Sequence, residues 1–316
     1  MQTSQEPESQ SITGVSKWWS NLIVCPGCHI HLNSFSCAGC GRDYGNDGGT
    51  PILKDDSLAR VVQYGFTSAR SFTHDDSLLT SFGMPPAAIE GMAMLPHHLD
   101  PSHAHAILNL SPRAQILEIG CGGGQARLWY ETQGFQYVGT DVSKTRVFDW
   151  LQKFGGPDVL CDAHFLPFAD ACFDVVYCAA VFEHLACPVL AAQEVNRVLK
   201  PGGLFLGNAS FLEPWHDHSY FHFSPLGALE MLTAAGLTAS HIWPGRGYSG
   251  FRAIARMTLR PGLRWIGELG HFVHILQNKG LALLRRLAGK PVKPAVLLEG
   301  TVAGAIDWIA FKSEPN

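Results

Sequence analysis

The sequence predicts an α/β protein: a largely parallel sheet preceded by a small cysteine-rich module and interrupted by a helical insert before its last strand. Three observations predict it. From Gln115 onward, short apolar runs alternate with helical stretches, the pattern of βαβ units on a parallel sheet. Four of the nine cysteines form two CxxC pairs within residues 25–40. Residues 247–298 carry apolar side chains at helical spacing among cations, between two strand-like runs. At 316 residues the chain is long enough for one α/β domain with an appendage.

Composition narrows the class further. Only 16% of residues are charged, below the roughly 25% of ordinary soluble domains, and 23 Lys+Arg against 27 Asp+Glu give a net charge of −4. That argues against a surface that is wholly a nucleic-acid footprint. No uninterrupted apolar run reaches 18 residues, so no transmembrane helix is expected. Residues 1–17 are rich in Ser, Gln and Glu and are expected to form a disordered tail. They hold no basic stretch ahead of an apolar one, so the expected location is cytoplasmic.

The elements follow in order. Residues 18–54 form the cysteine-rich module, whose CPGC-x8-CAGC spacing suits two knuckles presenting Cys25, Cys28, Cys37 and Cys40 to one tetrahedral zinc ion. So short a segment cannot build a self-sufficient core, and thiolate–zinc bonds would supply its folding energy, separately from the rest of the chain. Four thiolates close the shell, which makes the zinc structural. The other five cysteines sit singly in apolar context as small core residues. Residues 55–105 are an irregular connector ending in a histidine-rich stretch, whose His103 and His105 read as an exposed helix start. The main domain spans 106–316. Its strands are expected at 115–120, 136–140, 158–163, 173–179, 202–210, about 238–243 and 303–311. Ser143 caps a helix to about Phe154, and Pro188 opens one to Leu199, stopped by Pro201-Gly202-Gly203. Ser224-Pro225 opens another through Ala235, with Gly236 beyond its end.

The segment Glu118-Ile119-Gly120-Cys121-Gly122-Gly123-Gly124 follows a strand and opens a helix, and glycines there let the backbone approach a ligand. Such a loop alone also fits a dinucleotide. Three acids distinguish the cases. Glu118 precedes the first glycine, where a pyrophosphate would be repelled and a cationic amino group favoured. Asp141 ends the next strand, where it can accept two ribose hydroxyls. Asp162 ends the strand after that.

These residues resemble the class I S-adenosylmethionine-dependent methyltransferases, most closely the broad type 11 group, over about 105–245 plus the last strand. The resemblance implies a Rossmann-like seven-stranded sheet whose last strand is inserted antiparallel. It assigns Glu118, Gly120 and Gly122 to the methionine moiety, Asp141 to the ribose, Val142 to the adenine face, and Asp162 and Ala163 to the adenine amino edge. FDVVYCAAVFEHL…EVNRVLKPGG matches the group's next strand and helix and places Cys178 and Ala179 at the reactive end of S-adenosylmethionine. The run LIVCPGCHIHL…CAGCGRDYGNDGGTPIL resembles the Trm112-like zinc-ribbon module. CAAVFEH lacks an (Asn/Asp)-Pro-Pro-(Tyr/Phe) element, which shifts the acceptor away from adenine or glutamine toward a small-molecule hydroxyl, amine or carbon.

His184 follows one strand, and His216, His218 and His222 lie in the loop after the next, so all four are placed at the carboxyl ends of strands, where open sheets bind ligands. Any of them could take a proton from an acceptor hydroxyl, or two could hold a metal. Residues 247–298 hold nine cations and one acid, Glu268, a charge of +8 that leaves −12 for the remainder. This insert could bind anionic lipid, lid an anionic acceptor, form a homodimer surface, or pack on its own domain; membrane association is not expected. The sequence therefore reads as a zinc ribbon fused to a methyltransferase acting on a small, anionic molecule, with nucleic acid not expected. Its rivals are an RNA methyltransferase and a non-catalytic binding protein.

Overall fold

The computed structural model describes residues 17–62, 82–83, 85–89, 95–145, 154–293 and 295–314. The expected tail, part of the connector and most of the helix expected from Ser143 to Phe154 lie outside the described residues.

The cysteine module ends in a hairpin, β1 (Gly45–Asp47) and β2 (Thr50–Leu53). The main domain runs α1 (Pro101–Leu108), β3 (Gln115–Ile119), α2 (Arg127–Thr132), β4 (Gln136–Asp141), β5 (Val159–Cys161) and β6 (Phe173–Ala179). It continues α3 (Pro188–Val198), β7 (Leu199–Ser210), α4 (Pro225–Ala234) and β8 (Leu237–Pro244). The insert supplies α5 (Gly250–Thr258), α6 (Trp265–Leu287) and α7 (Ala295–Gly300), and β9 (Ala305–Lys312) closes the sheet.

Strands β3 to β9 form the expected seven-stranded arrangement, in the order β5-β4-β3-β6-β7-β9-β8. The first five are parallel, and β9 runs antiparallel to both β7 and β8. Successive residues face opposite sides of a pleated strand. Accordingly Leu117, Ile119, Val138 and Val176 join one apolar cluster while Ile116, Tyr137, Val175 and Tyr177 join the other. Both faces are covered, which is why these strands read as continuous apolar runs rather than alternating ones.

Three features depart from the expectations. The cysteine module is not a separate body: Ile52 and Leu53 pair in parallel with Leu160 and Cys161, extending the sheet to nine strands. Trp19, Ile23, Tyr44 and Leu53 share one core cluster with β5 and β6, so the module's stability comes partly from the sheet. Strand β7 starts at Leu199, three residues early, because Leu199 pairs with Phe173 before a register shift lets Pro201-Gly202-Gly203 bulge outward. The HAH run is no exposed helix start. Asp100 caps α1 by accepting the Ser102 N–H at 2.7 Å, which turns His103 inward. There it is fully buried, against Trp243 and 3.0 Å from the Trp308 carbonyl.

Candidate active site

The glycine loop is shaped by its own backbone and by the neighbouring strand. Gly120 and Cys121 both donate to the Thr140 carbonyl at 2.8 and 2.9 Å, folding the chain sharply off the end of β3. Gly120 has φ +73°, and a Cβ there would lie 2.2 Å from Val181, so only glycine fits. Gly122 donates to Asp141 Oδ2 at 2.9 Å, while Asp141 Oδ1 accepts from Val142 at 2.7 Å. One carboxylate thus ties the loop after β3 to the turn after β4.

Glu118 is buried behind this loop and accepts a hydrogen bond from the Tyr137 hydroxyl. Burial pushes its carboxyl up to about 7, against the opposing pull of Tyr137 and the more distant Arg127. Asp162, after β5, meets His164. The His164 Nδ1–H donates to Asp162 Oδ1 at 2.6 Å, and its Nε2 accepts the Cys187 N–H at 3.2 Å, which fixes one neutral tautomer. Burial alone would raise Asp162, but the His164 hydrogen bonds outweigh it and hold the carboxyl low.

These groups surround a cavity of about 600 Å3 outside the carboxyl ends of β3, β4, β5 and β6. Its wall includes Gly120, Asp141, Val142, Asp162, Ala163, Ala180, Val181, His184 and His218. The volume suits a cofactor-sized ligand. Among the described residues three aspartates, Asp141, Asp162 and Asp217, line it and no lysine or arginine does, an environment that disfavours pyrophosphate and accommodates a cationic nucleoside derivative. A second cavity, of about 670 Å3, adjoins it, and Ala180, His184 and Asp217 line both. This second chamber is strongly polar, with His98, Asp100, Glu183, Asn208, Ser210, Glu213, His216, Arg246 and Asp307 in its wall. Burial raises Glu183, against its hydrogen bonds from the backbone and from Ser210, and raises Asp307. The arrangement is an acid-lined chamber beside a polar one, with Ala180, His184 and Asp217 in both walls.

Residues 117–207 match the family described as the methyltransferase domain. The match runs from β3 into β7. Among curated proteins the chain is similar to 2-methyl-6-phytyl-1,4-hydroquinone methyltransferase of Synechocystis sp., 32% identical over 138 residues, 40% of this chain and 42% of that protein. It is also similar to sterol 4-C-methyltransferase of Caenorhabditis elegans, 29% identical over 150 residues, covering 45% of each. The chain spans less than half the length of these relatives. A chain in the complex of the Haloferax volcanii Trm112 methyltransferase activator is 18% identical, with a TM-score of 0.44, over 68% of this chain and 88% of that one.

Around the two cavities the expected site residues are distributed unevenly. Gly120, Asp141, Val142, Asp162 and Ala163 line the first cavity. Glu118 and Gly122 stand outside its wall, the one beneath Tyr137, the other holding Asp141. Cys178 is fully buried in the core, Ala179 packs against the opposite cluster, and the next two residues, Ala180 and Val181, face the cavity instead. The four histidines part company. His184 lines both cavities, His216 the second and His218 the first. His222 lines neither; its ring nitrogens meet the Phe211 carbonyl at 3.1 Å and the Ser219 hydroxyl at 3.4 Å. Sequence reasoning passed over His164, Glu183, Glu213 and Asp217, although the acids at 213 and 217 stand in the same loop as the histidines.

The four module cysteines lie together, their sulfurs within 4.8 Å of one another, with Cys25–Cys40 at 3.6 Å and Cys28–Cys37 at 3.2 Å. The knuckle backbones support them: His29 donates to the Cys25 carbonyl and Gly41 to that of Cys37, each at 2.8 Å. Four thiolates about 2.3 Å from a common centre give spacings close to these, so the group fits a tetrahedral zinc ion. Its hairpin touches the first cavity's rim, since Lys54 donates to the Val142 carbonyl and Lys144 to that of Asp47.

Proposed function

We propose that this protein is an S-adenosylmethionine-dependent methyltransferase acting on a small-molecule hydroxyl or amine. The observation that carries the reading is the pair of joined cavities: an acid-lined one at the strand ends and a polar one reached past His184. The bound cofactor would supply an electrophilic methyl group on a sulfonium sulfur. Asp141 and Asp162 would hold its ribose and adenine, and Glu118, from beneath the loop, would favour its cationic amino end. Val181 and Ala180 would shape the passage between the chambers. His184 would accept the acceptor's proton, with His216 and His218 on either side; His222, which lines neither cavity, would play a structural part. Catalysis of this kind is mostly positioning, helped by a base.

The relatives' printed names concern a hydroquinone and sterols, which supports a small-molecule acceptor over RNA. In the same reading Cys25, Cys28, Cys37 and Cys40 hold a structural zinc in a Trm112-like ribbon, and the protein works in the cytosol, where thiols stay reduced. Among the described residues no helix is long and apolar enough to cross a membrane.

The test is mass spectrometry of small-molecule and RNA pools after incubation with labelled S-adenosylmethionine. Label in a small molecule is the expected result. Label in ribosomal or transfer RNA, lost on charge reversal at Arg285 and Arg286, would move the assignment to RNA. Tight NAD binding with no response to S-adenosylmethionine would remove it altogether.

A further inference from the structure

Where the second cavity meets the first, oxygen acceptors outnumber donors. Glu183 Oε1 and Glu213 Oε2 lie 2.7 and 2.8 Å from one Ser210 hydroxyl. That hydroxyl has one proton and can donate to only one of them. Glu183 is wholly buried, and among the described residues its Oε2 has no hydrogen-bond partner. A buried carboxylate left in that condition is costly unless a cation stands beside it.

Two imidazoles are held against it. The Glu183 carbonyl accepts from Tyr220 and Phe221 at 2.7 and 3.1 Å, which clamps the loop after β7 over residues 182–184. This brings the His216 ring to 5.3 Å from that of His184. One ligating atom from each of Glu183, His184 and His216 then lies within 4.8 Å of the others. His216 Nδ1 is 2.9 Å from the Pro214 carbonyl, which can only accept, so Nδ1 carries the hydrogen and Nε2 keeps the lone pair. A metal-binding histidine is held in this way, its other nitrogen donating to a backbone carbonyl.

We propose that Glu183, His184 and His216 form a divalent-cation site at the junction of the two cavities. One carboxylate and two imidazoles leave coordination positions open, unlike the closed four-thiolate group. The cation would neutralise the crowded carboxylates and polarise an acceptor oxygen placed on an open position. Only that last role rests on the methyl-transfer reading. With a cation bound, His184 would be a ligand in place of the base role given to it above, and the acceptor's proton would pass to solvent.

The test titrates the zinc-loaded full chain with Mn2+, followed by electron paramagnetic resonance. Mn2+ prefers oxygen and nitrogen ligands and does not compete for a thiolate group. The expected result is one Mn2+ per chain, weakened at least tenfold in His216→Ala and in Glu183→Gln. His216 is on a loop, so its variant keeps the test valid if Glu183→Gln fails to fold. Calorimetry should find S-adenosylmethionine affinity within about twofold of wild type in His216→Ala, since His216 lies outside the first cavity. No Mn2+ uptake by the wild type, or equal uptake by His216→Ala, overturns the site. Failure of the wild type to bind S-adenosylmethionine would instead overturn the methyl-transfer reading and leave the Mn2+ result standing.

A second inference rests on α6, whose two faces are reversed relative to an ordinary surface helix. On its inward side Gly267 and Gly270 meet α5, where a Cβ at Gly267 would lie 2.4 Å from Ala255, and His271, His274 and Asn278 line a cavity shared with Tyr248 and Leu298. Its outward side is Ile266, Leu269, Val273, Leu276, Leu283 and Leu287, all exposed, Leu287 by 77%. We propose that this face lies on an anionic lipid surface. Residues 247–298 as a whole carry nine cations and one acid, so a second copy would set +8 against +8, whereas acidic headgroups complement the insert. The test is flotation with vesicles of 30% phosphatidylglycerol in phosphatidylcholine. Binding at low salt, lost with pure phosphatidylcholine and in Leu276→Glu/Leu283→Glu, is expected. No flotation overturns it, as does a dimer in analytical ultracentrifugation that the same double variant dissolves.

Discussion

Glu118 shows how far one residue's chemistry can be followed. Its place two residues before Gly120 was visible in the sequence; its burial under Tyr137 was not, because that contact belongs to the facing strand. Burial raises its carboxyl to about 7, so the ligand-free fold gains stability from the protonated form. That contribution is present in full below the unfolded value near 4.5 and is lost as pH rises through about 7. A cationic cofactor reverses the preference by favouring the carboxylate. S-adenosylmethionine affinity should therefore rise with pH up to about 7 and level off above it, with proton release on binding. Calorimetry in buffers of different ionisation enthalpy would show this, and Glu118→Gln should abolish the dependence; a flat profile in the wild type would rule the coupling out. Asp141 allows a second test. It holds Gly122 and Val142 as well as facing the cavity, so Asp141→Ala should weaken cofactor binding by about 1.5–3 kcal/mol, the scale of hydrogen bonds to a charged group. The histidines give a third. His184→Ala should cut turnover by about 10²-fold or more at little change in cofactor affinity, while His222→Ala should stay near normal. The strand-end rule puts all four histidines at the same end of the sheet. It does not rank them, because that depends on which ring reaches the shared wall of two cavities.

At the scale of elements, local pattern was legible and pairing between distant segments was not. The strand at 173–179 and the start of the helix at Pro188 are where the apolar runs and the proline put them, since periodicity and capping are local. The junction of β2 with β5 rests on Ile52, Leu53, Leu160 and Cys161, four apolar residues with nothing in their spacing to announce a partner more than a hundred positions away. Yet that junction changes what the cysteine module does. Lys17 pairs with Asp158 at 2.9 Å, Trp18 donates to the Tyr137 carbonyl, and Lys54 reaches Val142 at the cofactor cavity. The module and the cofactor loop should thus respond together. Cys40→Ser, or removal of zinc by a chelator, should lower S-adenosylmethionine affinity several-fold besides unfolding the knuckles. Hydrogen exchange should quicken in β5 and β4 and leave β7 and β9 protected. Unchanged affinity in metal-free protein would mean that the hairpin holds its place on core contacts alone.

Across the whole molecule the charge is divided, +8 on the insert and −12 on the rest of the chain, and the fold decides which cations can meet an acceptor. Most cannot. Arg252 pairs with Glu268 at 2.6 Å, and Arg285 is turned to the Pro291 carbonyl. Arg256 is different: it rides on α5, lies over the Tyr248 ring at 5.9 Å and lines the second cavity with Met257. So the insert reaches the second cavity through Tyr248 and the end of one short helix, and among the described residues α6 takes no part in its wall. If the acceptor is anionic, exposed cations steer it, and that steering is screened beyond a Debye length of about 8 Å at physiological ionic strength. Catalytic efficiency for the acceptor found by labelling should then fall as salt rises, with KM moving and kcat nearly constant. Arg256→Gln should raise KM and flatten the salt dependence. Arg285→Gln and Arg286→Gln together should leave both as they are, because neither side chain lines the acceptor cavity. Steady-state kinetics across a salt series in these variants separates the cases: equal salt slopes in wild type and Arg256→Gln would mean that the acceptor is neutral and that the insert's charge serves a surface outside the active site.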